Sequence, residues 1–77
     1  MNFDRELDLK GEVCPFTFVK SKLIIEQMQP GEVLKVILDY KPSVENVPKS
    51  FRDEGQEVLD VKQIDDNLWE VYVRKVK

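Results

Sequence analysis

The 77-residue chain reads as an α/β (α+β) fold, a two-layer α/β sandwich of order β-α-β-α-β-β with both helices on one face of a mixed sheet. Three observations predict it. Two-residue alternation switches to helical spacing at Cys14-Pro15. Pro30-Gly31 and Gly55 each punctuate the end of a helical pattern. Two alternating runs then close the chain around Asp65-Asp66-Asn67, as a hairpin would.

The elements follow in order. Arg5 to Leu9 alternates apolar and polar residues and forms the first strand. Pro15 to Met28 is the first helix, with proline at the first helical position, where a missing N–H costs nothing. Val33 to Leu38 is mostly apolar, as a covered central strand should be. The second helix spans Ser43 to Glu54, with Ser43 as N-cap and Val44, Val47 and Phe51 on its inner face. Pro48 predicts either a kink or a short first turn followed by the helix proper. Glu57 to Ile64 and Leu68 to Lys75 are the last two strands.

Composition excludes several classes of function. One domain, residues 1–77, is expected at this length. The net charge of −3 argues against direct nucleic-acid binding, which needs a basic surface. There is no histidine, so Cys–His catalytic pairs and histidine metal sites are absent, and neither a metal nor a cofactor is expected. A single cysteine makes no internal disulfide. The N-terminus carries no secretory pattern, and apolar runs such as Leu23-Ile24-Ile25 are too short to span a bilayer. A monomer in the reducing cytoplasm fits these features.

Cys14 is the candidate nucleophile. The pattern puts it at the N-cap of the first helix, beside the open backbone amides of Pro15-Phe16-Thr17's turn and the positive end of the helix dipole. Such a location lowers a thiol's pKa and yields a thiolate. The competing reading is a small buried hydrophobe kept for packing alone. Lys10 and Lys20 are the nearest cations in sequence, each also readable as a solvated surface lysine.

The first helix carries a second signal. Phe18, Ser21, Ile24, Ile25 and Met28 share the core side, whereas Lys20, Lys22, Glu26, Gln27 and Gln29 mark the wet side. Phe16, Val19 and Leu23 fall among the polar residues. That apolar stripe predicts a partner-docking surface beside Cys14, with Lys10 and Lys20 at its margin. The alternative is that Phe16 or Val19 tucks under the neighbouring loop.

Asp8-Leu9-Lys10-Gly11-Glu12-Val13-Cys14-Pro15, Pro30-Gly31-Glu32-Val33-Leu34, Asp39 with Val47-Pro48, and Gly55-Gln56-Glu57-Val58 together resemble the TusA-like (SirA-like) sulfur-carrier family over nearly the whole chain. The resemblance implies strand order 1-2-4-3 with the last strand antiparallel to the others. It also implies that Cys14 matches the cysteine on which the family carries sulfur as a persulfide, between a donor protein (a cysteine desulfurase or rhodanese-like protein) and an acceptor protein. Destinations in that family include tRNA thiolation, molybdenum-cofactor assembly and sulfur oxidation. Two departures stand out. The family's usual Cys-Pro-x-Pro is here Cys14-Pro15-Phe16-Thr17, and its usual arginine before the glycine is Lys10. Gly11-Glu12-Val13-Cys14-Pro15-Phe16 also resembles members associated with thiosulfate-uptake membrane proteins, which adds a membrane partner to the candidates.

Three functions therefore compete. A sulfur carrier or sulfurtransferase uses Cys14; a nucleic-acid or regulatory module needs salt-sensitive binding; a non-catalytic interaction module docks through the stripe with an inert Cys14.

Overall fold

The computed structural model describes residues 3–13 and 16–77. Its elements are β1 (Arg5–Asp8), α1 (Phe16–Glu26), β2 (Val33–Leu38), α2 (Lys41–Asp53), β3 (Glu57–Asp65) and β4 (Leu68–Arg74). The sheet order is β1-β2-β4-β3. β1 and β2 run parallel, and β4 is antiparallel to both of its neighbours, β2 and β3. The mixed sandwich read from the sequence is the observed fold.

Side-chain alternation decides which face is covered. Leu34, Val36 and Leu38 of β2 are buried, and register places Val73, Val71 and Trp69 of β4 opposite them on the same face. Ile25 of α1 and Val47 and Phe51 of α2 close over this surface, with Leu9 and Met28 completing the core. The Phe18 and Phe51 rings meet edge to face, centroids 5.1 Å apart, and lock the two helices together.

The uncovered face of the sheet is polar and paired. Lys35 on β2 bridges Glu6 on β1 (3.3 Å) and Glu70 on β4 (2.8 Å), and the Tyr72 hydroxyl donates to Glu70 (3.1 Å). The hydrogen bond from Lys35 holds the Glu70 carboxyl below its ordinary pKa, and the same bond raises that of Lys35. Burial pushes the Tyr72 phenol upward.

Several boundaries differ from the sequence reading. α1 ends at Glu26 instead of Met28, because Gln27 and Met28 turn their amides to the carbonyls of Ile24 and Ile25 in a tightened last turn. β1 stops at Asp8, although Leu9 still enters the core. β3 runs one residue longer than read, to Asp65, and β4 ends one earlier, at Arg74. α2 starts two residues early, at Lys41, with Tyr40 in the N-cap position and no side-chain cap. Pro42 in the first turn accounts for that start, since its fixed φ is already helical. Ser43 is therefore not the N-cap; it lies inside the helix with its side chain buried. The helix also runs unbroken through the buried Pro48, so no separate first turn precedes it.

Candidate functional site

Because β1 and β2 are parallel, their carboxyl ends lie at one edge of the sheet, with Asp8 paired to Ile37. The segment leading to Cys14 leaves β1 there, and α1 and α2 both begin there. Cys14 and Pro15 themselves lie outside the described residues. Their flanks, Val13 and Phe16, are described.

The loop before the cysteine is held by backbone and side-chain bonds. The Leu9 amide donates to the Ile37 carbonyl (2.9 Å), and the Glu12 amide turns back to Leu9 (3.0 Å). Gly11 takes φ +86°, a left-handed conformation that a Cβ would strain. Its amide donates to both oxygens of the Asp39 carboxylate, at 3.0 and 3.1 Å. Asp39 directly follows β2, so the parallel pairing delivers it to the loop.

Beyond the cysteine, the amides of Phe16 and Thr17 both donate to the Val13 carbonyl, at 2.9 and 3.3 Å. These two N–H groups are engaged within their own turn and do not point freely outward as the sequence suggested. The Thr17 side chain is fully buried, and its hydroxyl lies 2.9 Å from that of Ser43 on α2. Ser21, also buried, donates to the Thr17 carbonyl at 2.6 Å.

The two candidate cations each have a carboxylate of their own. Lys10 pairs with Asp8 at 3.6 Å, and Lys20 pairs with Glu12. The pairing with Glu12 places a negative charge two residues from Cys14 in sequence, and Lys20 offsets it.

The apolar stripe is on the surface. Phe16 is 56% exposed, Val19 47% and Leu23 55%, and Val13 extends the patch at 45%. Neither Phe16 nor Val19 tucks under a loop. Phe18 and Ile24, expected in the core, are half-buried against it, whereas Thr17 takes a core position that its polarity concealed. Sequence reasoning saw Glu12 and Asp39 only as parts of a resemblance, and Ser43 only as an N-cap. The one available signal for Asp39 was its place just after a strand parallel to the first.

The described residues form a small α/β sandwich in which the loop pinned at Gly11 and the start of α1 flank the single cysteine in sequence. Comparison with known proteins identifies the family. The family model of the sulfurtransferase TusA matches residues 5–75, and the chain belongs to that family of sulfur carriers. It is 48% identical over 69 residues to a candidate sulfur carrier protein of Archaeoglobus fulgidus, covering 90% of this chain and 78% of the relative. A candidate sulfur carrier of Thermotoga maritima is 37% identical over 70 residues, with 91% and 89% covered. The candidate sulfur carrier YedF of Escherichia coli is 38% identical over 60 residues, covering 78% of each chain. Among solved structures, a SirA-like protein from Desulfitobacterium hafniense superposes with a TM-score of 0.84 at 23% identity, covering 96% of this chain and all of that one, and so shares its fold.

No described helix is long and apolar enough to cross a membrane.

Proposed function

We propose that this sulfur carrier bears its cargo on Cys14, as a persulfide taken from a donor protein and passed to an acceptor. The observation that supports the reading is that the chain's single cysteine falls within the family match, between a loop pinned at Gly11 and the start of α1. The chemistry asks little of the protein. The Cys14 thiolate attacks the terminal sulfur of a donor persulfide; a new S–S bond forms as the donor's breaks, and the donor cysteine leaves as thiolate. With thiosulfate the same displacement releases sulfite. No electrons are gained or lost overall, and no resolving cysteine is required. Loading tests the proposal directly. Incubation with a cysteine desulfurase, a rhodanese or thiosulfate should add one sulfur atom, removable by reductant and visible by intact-mass spectrometry. Absence of that adduct with all three donors overturns it.

Val13, Phe16, Val19 and Leu23 supply the surface on which a donor or acceptor protein seats its own cysteine, with Lys10 and Lys20 beside them. Replacing Val19 and Leu23 together with glutamate should leave the fold intact, since exposed substitutions cost under about 0.5 kcal/mol. Alkylation of Cys14 by a small reagent should be unchanged. Protein-to-protein transfer should fall at least about tenfold, the equivalent of roughly 1.4 kcal/mol of lost docking energy. Wild-type transfer in the folded double variant would remove the docking role. A non-catalytic module that docks through the same stripe predicts instead that the wild-type chain binds its partner without ever acquiring sulfur, and that the double variant loses that binding.

A further inference from the structure

The turn from β2 into α2 grips the chain on both sides of Cys14. Three residues before the cysteine, the Gly11 amide is clamped by both carboxylate oxygens of Asp39. Three residues after it, the Thr17 hydroxyl meets the Ser43 hydroxyl in a fully buried pair. Asp39 and Ser43 are four positions apart, joined by the Ser43 amide bonding the Tyr40 carbonyl at 3.0 Å. One short corner thus fixes both anchors of the segment that carries the cysteine.

Thr17 gives this arrangement its meaning. A proline at that position would hold the first helical turn by its own fixed φ. Threonine lacks that stiffness, and here a tertiary hydrogen bond to α2 takes its place, reinforced by Ser21 on the Thr17 carbonyl. We infer that the β2–α2 corner is the positioning element of the Cys14 site: Asp39 orients the loop before the cysteine through Gly11, and Ser43 orients the helical turn after it through Thr17. Neither residue needs to touch the sulfur. The inference rests on Cys14 as the reacting thiol.

The test measures Cys14 alkylation by iodoacetamide across pH and sulfur loading from a donor, with a thermal melt of each variant. Asp39→Ala should slow both reactions, sulfur loading by between about tenfold and 100-fold, the scale that misplacement of a reacting group against a bound partner produces. Asp39→Asn retains an oxygen acceptor for the Gly11 amide and should restore the rates. If Asn is as slow as Ala, the carboxylate charge matters and the clamp does not, which overturns the assignment of Asp39. Ser43→Ala should likewise slow both reactions, whereas Thr17→Ser, which keeps both the hydroxyl and the amide donor to Val13, should leave them at wild-type rates. A change in melting temperature with unaltered alkylation and loading rates would show a merely structural corner and overturn the inference. If the wild-type chain takes up no sulfur, the carrier reading fails, whereas the alkylation rates of the same variants still decide the positioning role.

Discussion

Cys14→Ser is expected to abolish sulfur loading and relay completely while leaving the melting curve unchanged. Serine keeps the size and a hydroxyl, but it stays protonated at neutral pH and cannot take up sulfane sulfur by displacement. In the wild-type chain, alkylation should already proceed at neutral pH, with a midpoint below the value of about 8.5 for an unperturbed thiol. The packing reading of Cys14 forecasts the reverse pair of results. A buried thiol replaced by a hydroxyl without a partner would lower stability by about 1–3 kcal/mol, and the wild-type thiol would titrate at or above the ordinary value. Intact-mass spectrometry, a thermal melt and a pH series of alkylation on the two proteins distinguish the readings.

Phe51→Ala should have the largest effect on the fold. Phe51 is fully buried, sits on the inner face of α2 and packs edge to face against Phe18 of α1. Truncating such a ring costs about 3–5 kcal/mol through lost burial and the cavity left behind. A domain of this size holds only about 4–12 kcal/mol in total, at roughly 0.05–0.15 kcal/mol per residue. The melting temperature should therefore fall by at least about 12 °C. The same change loosens α1 from α2, so residual folded protein should also lose order around Thr17 and Ser43. A variant that melts within a few degrees of wild type would show that α1 and α2 are held by something other than this contact.

Much of the architecture was legible because it rests on short-range pattern. The mostly apolar run Val33–Leu38 returns as a central strand with every second residue buried, and the spacing of Phe16, Val19 and Leu23 returns as one exposed stripe. The errors share a different cause. Ser43 has the chemistry of an N-cap, but its hydroxyl is engaged by Thr17, 26 residues earlier in the chain. Asp39 reaches Gly11 across 28 residues, a contact that no local window contains. Thr17 reads locally as part of the helix start beside Cys14, and its full burial and its bond to Ser43 of α2 lie outside that local reading. Lys10 and Lys20 looked like cations available to a thiolate, and the folded loop gives each its own carboxylate. The contacts that a local window could not supply are those made where β2, α1 and α2 meet.

β3, the longest strand at Glu57–Asp65, forms one outer edge of the sheet, where a row of unsatisfied backbone groups invites another chain to add itself. Its pairing with β4 slips twice, between Val58 and Asp60 and again between Gln63 and Asp65. Each slip bends the strand and interrupts the row. The longest stretch left in regular register is Asp60 to Gln63, and Lys62 stands within it. An incoming strand would find a template too short to be worth its ordering entropy and a charge in its path. The fold guards itself against edge-to-edge polymerisation there, even though Val61 and Ile64 expose apolar side chains along the same edge.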